Sequence, residues 1–85
     1  MTIKEEFEKA ALDVQSLPEK PNTDVLLSLY SLYKQSTEGD VKGNRPGMLD
    51  LVGRKKYDAW AARKGLAPER AMHDYVDLVK KLRGK

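Results

Sequence analysis

The 85-residue chain contains no cysteine and only one histidine, one phenylalanine and one tryptophan. Without cysteine it forms neither disulfides nor thiolate metal sites, and this composition suits a reducing compartment. A single histidine leaves little from which to build a metal site or a nucleophilic site. The His-Glu-x-x-His and Gly-x-Ser-x-Gly motifs are both missing as well. We therefore expect a protein that is not an enzyme and that uses no metal and no cofactor.

Long hydrophobic runs are also missing. No stretch approaches the ~20 apolar residues that a membrane-spanning helix needs, so we expect no stable membrane insertion. The first residues, Met-Thr-Ile-Lys-Glu-Glu-Phe, are charged and amphipathic, unlike a signal peptide. The length predicts one domain over residues 1–85. The simplest expectation is a cytoplasmic monomer.

Positive charge is concentrated after residue 24. Residues 1–24 hold six acidic and three basic side chains, and the remainder holds thirteen basic and seven acidic ones. This asymmetry predicts an anionic partner, and nucleic acid, a phosphorylated small molecule and an anionic membrane surface all qualify. A small basic helical module that binds nucleic acid or a protein is one interpretation. Nucleic acid is disfavoured because Asp58, Asp74 and Asp77 interrupt the positive charge, which does not line one helix.

Hydrophobic periodicity predicts four amphipathic helices. Thr2 and Glu5 form a predicted capping box at the start of the first helix, whose apolar face runs to Leu17 and which the following prolines end. Asn22 or Thr23 caps the second helix, which extends to about residue 37.

The third helix is expected to begin after Asp50, as its cap, and to run to Lys64. The fourth starts at Pro68, although Ala67 is a weak cap. Between the second and third helices, residues 38–49 contain three glycines and one proline, which excludes a regular helix. So long a connection can cross the bundle and leave the second and third helices parallel. We therefore predict an all-α, single-domain four-helix bundle with a long crossover loop.

One edge of the second helix carries an aliphatic, an aromatic and a cationic side chain in a row. Leu27, Tyr30 and Lys34 follow each other at spacings of three and four, so they are neighbours on the helix surface. This row suits a ligand with an apolar part, a flat ring and an anion. Packing in the core is the alternative for the leucine and tyrosine positions, with the lysine reaching to water.

The run Arg54-Lys55-Lys56 has two interpretations of the same kind. Successive helix positions spread widely around the axis, so at most two of these side chains converge on one anion. Binding of an anion requires Lys56 to point towards the same place as Lys34, whereas a solvated basic face requires no particular orientation of these side chains. Tyr75 is compatible with core packing, Trp60 is compatible with core packing or with a groove wall, and His73 is expected to be exposed.

Three blocks of sequence are more specific than any single feature. They are Tyr-Ser-x-Tyr-Lys-Gln from residue 30, Arg-Pro-Gly-Met-Leu-Asp from residue 45, and Lys-Tyr-Asp-Ala-Trp from residue 56. In this order and spacing, over nearly the whole chain, the sequence resembles the acyl-CoA-binding protein family. The resemblance implies an up-down-down-up bundle. It also implies non-enzymatic binding, buffering and transport of medium- to long-chain acyl-CoA.

The resemblance also implies a site. The adenine and 3′-phosphate are expected against the side chains of Tyr30, Tyr33, Lys34, Lys56 and Tyr75. An apolar groove for the acyl chain is expected to include Ala10, Leu26 and Leu27. Packing between the first and last helices is implied for two sets of residues: Phe7, Ala11, Val14 and Leu17 against Tyr75, Val76, Val79 and Leu82.

This sequence departs from the family pattern at three positions. Gln15 and Val52 are uncharged where many members are basic, which puts auxiliary phosphate contacts in question, and Lys55 or Arg54 is a possible substitute. Tyr57 stands where many members carry tryptophan, so an aromatic wall is kept with a hydroxyl added.

Overall fold

The computed structural model of the chain describes residues 1–84 and contains four α-helices: α1 (Ile3–Asp13), α2 (Thr23–Glu38), α3 (Leu51–Ala61) and α4 (Pro68–Arg83). A short 3₁₀ turn, Val14–Ser16, follows α1. Within residues 1–84 there is no strand, and the predicted all-α fold is confirmed. Lys85, the last residue of the predicted domain, lies outside the described residues.

The helices begin at the predicted caps. The Thr2 hydroxyl accepts a hydrogen bond from the Glu5 amide at 3.2 Å, and the Glu5 carboxylate accepts one from the Thr2 amide at 2.9 Å. Asn22 caps α2 and Asp50 caps α3, each accepting at 2.9 Å from the amide three residues on. Helix α4 has no side-chain cap, and it begins with Pro68, which has no amide hydrogen to satisfy.

Two predicted helix ends were wrong. Helix α1 stops at Asp13. Leu17 is extended, with φ −64° and ψ 139°, because the residue before a proline is disfavoured in the helical region. Leu17 consequently lies outside the main core cluster, contrary to the predicted packing. Helix α3 stops at Ala61 rather than Lys64, and the chain turns through residues 62–65. The turn ends at Gly65, whose φ of +90° favours glycine.

Helices α1 and α4 run in the same direction although they are furthest apart in sequence. Midway along each helix, the rings of Phe7 and Tyr75 lie 5.1 Å apart. Near the end of each helix, Arg83 donates to Asp13 at 3.1 Å. Because the contact later in α1 is also the contact later in α4, the two helices are parallel.

The order of contacts along each helix also gives the relative directions of α2 and α3 and of α2 and α4. Lys56 lies over the ring of Tyr30, and Lys34 lies over the ring of Trp60 one turn further on, so α2 and α3 are parallel. Helix α4 is antiparallel to α2, because Tyr33 lies beside Tyr75 whereas Val25, earlier in α2, shares a groove with Leu82, later in α4. These directions give the predicted up-down-down-up order.

The core lies between α1, α2 and α4. Its buried members are Phe7, Ala10, Leu29, Leu32, Ala71, Tyr75, Val76 and Val79. Ala11, Val14 and Leu82 are partly buried against this cluster, in keeping with the expected packing of the first helix on the last. Ala10 was expected in the acyl groove. It is only 5% exposed and belongs to the core instead.

The polar side of α2 is buried rather than solvated. Gln35 is fully buried, and its Nε2 donates to the Leu66 carbonyl at 2.8 Å and to Asp40 Oδ1 at 2.9 Å. Ser31 is also buried and accepts from Arg63 Nε at 3.1 Å. These bonds satisfy Gln35 Nε2 and the Ser31 hydroxyl, which would otherwise be costly to bury, and they tie α2 to the α3–α4 junction, whereas Gln35 Oε1 has no partner among the described residues.

The crossover loop is anchored on α3 by side-chain hydrogen bonds. Trp60 Nε1 donates to the Gly39 carbonyl at 2.8 Å, and the Tyr57 hydroxyl donates to the Gly43 carbonyl at 3.0 Å. Arg45 donates to both carboxylate oxygens of Asp58 at 2.9 and 2.7 Å. These contacts hold α3 beside α2 and fix the seam between them.

Candidate functional site

Two lysines from different helices lie on the seam between α2 and α3. The Lys56 ammonium is 5.4 Å from the centroid of the Tyr30 ring. The Lys34 ammonium is 4.9 Å from the centroid of a Trp60 ring. Tyr30 and Lys34 are one turn apart on α2, and Lys56 and Trp60 are one turn apart on α3. The two cations therefore occupy the same side of the molecule, each over an aromatic face.

Lys34 already has an anionic neighbour. Its ammonium forms an ion pair with Glu38, one turn further along α2. The hydrogen bond that Lys34 donates to Glu38 is the main cause that raises the pKa of Lys34, and the nearby Tyr30 and Tyr33 phenols raise it further. The same bond lowers the pKa of the Glu38 carboxyl. Any anion that binds Lys34 through this position competes with the Glu38 carboxylate.

An aromatic cluster of Phe7, Tyr33 and Tyr75 continues from this point towards α1 and α4. The Phe7 and Tyr33 rings are stacked with centroids 5.4 Å apart, and the Tyr33 and Tyr75 centroids are 6.1 Å apart. Tyr33 is 43% exposed, whereas Tyr75 is 4% exposed. Burial, and then the neighbouring Tyr33, raise the pKa of the Tyr75 hydroxyl. Tyr33 is thus the accessible ring of this cluster, and Tyr75 is a buried wall behind it.

An apolar groove opens along the α2–α3 seam on the other side of Tyr30. It has a volume of about 250 Å³ and is lined by Thr23, Leu26, Leu27, Tyr30, Val52, Lys55 and Lys56. Leucine side chains form its α2 wall, and lysines close its α3 side. The groove therefore combines an apolar trench with cationic groups at its edge.

The structure brings most of the predicted site residues onto this seam, but not all of them. Tyr30, Lys34, Lys56, Leu26 and Leu27 lie along it. Ala10 does not reach the groove and instead lies against α4 in the core.

The three positions that depart from the family pattern also have definite places. Val52 lines the α2–α3 groove together with Lys55, and Arg54 is not among the lining residues. Gln15 lines a separate groove beside Tyr33 and α1. The Tyr57 hydroxyl donates its hydrogen bond to the crossover loop, and Tyr57 does not line the groove.

Sequence reasoning missed two members of the site, Glu38 as the partner of Lys34 and Trp60 as the ring beneath it. The spacing of four between Lys34 and Glu38 was a usable signal for an ion pair on one helix face. No local pattern indicated the contact with Trp60, because that contact depends on the parallel packing of α2 and α3.

Two features are absent from the described residues. No helix within residues 1–84 is both long enough and apolar enough to cross a bilayer. Among the same residues, no three His, Cys, Asp or Glu side chains come together as a possible metal site.

Comparison with known proteins gives consistent results. The family model described as "Acyl CoA binding protein" matches residues 4–79. An acyl-CoA-binding protein from Gossypium hirsutum is 49% identical over 82 residues, which cover 96% of this chain and 92% of that protein. One from Ricinus communis is 46% identical over 85 residues, covering 100% and 94% of the two chains.

A solved structure that resembles this chain is also of an acyl-CoA-binding protein. The crystal structure of Oryza sativa Acyl-CoA-Binding Protein 2 superposes with a TM-score of 0.90 at 45% identity, covering 94% of this chain and 87% of that one. The fold, the order of the helices and the match along nearly the whole sequence lead to one assignment. This chain belongs to the acyl-CoA-binding protein family.

Proposed function

We propose that this protein binds medium- to long-chain acyl-CoA thioesters and buffers and carries them without chemical change. The observation that carries the proposal is the α2–α3 seam, where two lysines from different helices stand at the edge of an apolar groove. An acyl-CoA has the complementary parts: a phosphorylated nucleotide at one end and a hydrocarbon chain at the other.

The nucleotide end is assigned to the lysines and tyrosines. Lys34 and Lys56 neutralise the 3′-phosphate through charge-assisted hydrogen bonds, which are shorter and stronger than neutral ones. Tyr30 lies between the two lysines and supplies a ring or hydroxyl contact. Tyr33, as the exposed aromatic ring beside Lys34, is the candidate surface for the adenine. Tyr75 supports Tyr33 from beneath.

The hydrocarbon end is assigned to the groove of Leu26 and Leu27. Each buried methylene contributes about 0.8 kcal/mol, so a long acyl chain offers on the order of 10 kcal/mol before costs. Association and ordering remove much of that gain. Charge-assisted contacts at about 1.5–3 kcal/mol each then select which apolar ligand is accepted. Free fatty acid lacks the nucleotide and free CoA lacks the chain, so both should bind weakly.

The proposal includes no catalytic step and no cofactor. The groups around the groove are ammonium, phenol, hydroxyl and aliphatic side chains, and they do not include a base paired with a nucleophile. The proposal places the protein in the cytoplasm as a monomer, in keeping with a sequence free of cysteine. Sedimentation equilibrium with and without acyl-CoA tests the monomer.

Calorimetric titration with acyl-CoA esters of increasing chain length is the direct test. We expect affinity to rise with chain length, with weak binding of free CoA and of free fatty acid. Ligand should also raise the melting temperature, since saturation at 100 times Kd stabilises the folded state by about 2.7 kcal/mol. An absence of both heat and thermal shift along the whole series would contradict the proposal. A gel-shift with duplex DNA at physiological salt tests the nucleic-acid alternative, and we expect no complex.

A further inference from the structure

Four large apolar side chains stand in water where the crossover loop meets α3. Met48 is 77% exposed, Leu49 100%, Leu51 68% and Val52 66%. None of the four belongs to the hydrophobic core. Single exposed leucines are ordinary, but a cluster of apolar side chains at one place marks an interaction surface. We call these four residues the apolar tip.

Basic side chains flank the apolar tip in the sequence. Residues 42–56 contain five lysines and arginines and a single acid, Asp50. One of the five, Arg45, is paired with Asp58. Asp50 is itself exposed, and its carboxylate accepts a hydrogen bond from the Gly53 amide as the cap of α3. On the surface of α3, Leu51 and Lys55 are neighbours at a spacing of four.

This combination of apolar tip and basic rim matches one kind of partner. Apolar groups that enter the boundary between lipid headgroups and acyl chains, with lysines on the polar side, are the pattern of peripheral membrane binding. Basic side chains near an anionic leaflet contribute about 1 kcal/mol each. A protein partner would need a complementary acidic pocket for both features, whereas an anionic bilayer supplies them on any patch of its surface.

We propose that the apolar tip docks this protein reversibly on an anionic phospholipid membrane. Met48, Leu49 and Leu51 enter the headgroup boundary, and Lys55 and Lys56 lie against the lipid phosphates. The contact is peripheral and requires no membrane-spanning segment. Val52 and Lys56 belong both to this surface and to the wall of the apolar groove, so docking turns the mouth of the groove towards the lipid. Docking goes beyond the proposed ligand binding and does not require it.

The test uses sedimentation of the protein with sucrose-loaded vesicles and no acyl-CoA. We expect binding to vesicles with about 30 mol% phosphatidylserine in phosphatidylcholine, and much weaker binding to phosphatidylcholine alone. Salt at about 0.5 M should reduce the bound fraction, because it screens the lysines. The double variant Leu49→Ser/Leu51→Ser should lower the partition coefficient at least about tenfold, since binding scales with inserted apolar area.

Leu12→Ser is the matched control, because Leu12 on α1 has the same 68% exposure as Leu51. It should leave vesicle binding unchanged. Circular dichroism and melting temperature check that both variants fold, and acyl-CoA titration without vesicles measures the proposed function separately.

Two results would overturn docking. One is an equal partition coefficient for the wild type, the Leu12 variant and the double variant. The other is self-association that the double variant abolishes while no vesicle binding is seen, because this outcome assigns the tip to a second copy of the chain.

Discussion

Replacing Lys34 by methionine is the sharpest test of the proposed site. Methionine keeps an unbranched apolar stem and removes the charge. The lost contact with the 3′-phosphate corresponds to about 1.5–3 kcal/mol, which lowers affinity about 10- to 150-fold. The folded state loses much less. A solvent-exposed surface pair such as that with Glu38 contributes little to stability, and the contact over Trp60 contributes about 0.5–1 kcal/mol.

The assay is calorimetry with a long-chain acyl-CoA and with the same ester lacking its 3′-phosphate. Lys34→Met should bind the complete ligand much more weakly than the wild type does, and the two proteins should bind the dephosphorylated ligand similarly. Lys81→Met, on the exposed part of α4, is the control and should change neither. A loss that is equally large for both ligands, or that follows the loss of melting temperature, would refute the assignment of Lys34 to the phosphate.

Four further predictions concern single side chains. Glu38→Gln should raise affinity about twofold by calorimetry, because the ligand no longer has to break a surface ion pair; an unchanged or lower affinity would argue against competition at Lys34. Trp60 is the only tryptophan, so its fluorescence should change when acyl-CoA engages Lys34, and the change should vanish in Lys34→Met. Leu27→Ala should weaken a long-chain ester more than a short-chain one, and equal weakening would place the chain elsewhere. Hydrogen bonds from the Gly65 amide and then the Gln35 amide lower the pKa of the Asp40 carboxyl in the folded protein. The ionised carboxylate therefore stabilises the folded state at pH values above 3.8, the ordinary pKa, and this contribution is lost as pH falls through the lower pKa of the folded state. Asp40→Asn should therefore flatten the acid decline of the melting temperature, and an unchanged pH profile would remove Asp40 from the explanation.

Local signals predicted the helices well because the physics of helix ends is local. Thr2, Asn22 and Asp50 bond amides only three residues away, so a short window of sequence contains the whole interaction. The local pattern predicted the wrong conformation at Leu17, where the apolar periodicity continues but the following proline favours an extended backbone. Periodicity describes which face is apolar, and it does not report where the chain leaves the helix.

The buried polar face of α2 could not be predicted from the sequence alone. Gln35 and Ser31 fall on the polar arc of the helix, which normally faces water. They are buried because the crossover loop and the α3–α4 junction cover that arc and supply partners from Asp40, Arg63 and Leu66.

The residues proposed for the candidate site come from signals of different range along the chain. The order of Tyr30 and Lys34 on one helix edge is a local property, so their proximity followed from spacing. Whether Lys56 joins them depends on the parallel docking of α3, which the length of the crossover loop allowed and the family resemblance implied. The residue type alone does not decide the place of Ala10, because a small side chain suits both a groove wall and a close helix contact, and here α4 occupies that side of α1.

The pairing of α1 with α4 has a consequence for biosynthesis. Asp13 and Arg83 meet across 70 residues, so while the ribosome is still translating, the face of α1 that packs on α4 has no partner until α4 leaves the exit tunnel. Helices α2 and α3 emerge earlier and can associate through the loop between them. The nascent chain therefore exposes that apolar face of α1 until α4 has been made, and that surface is the one most open to capture by a chaperone.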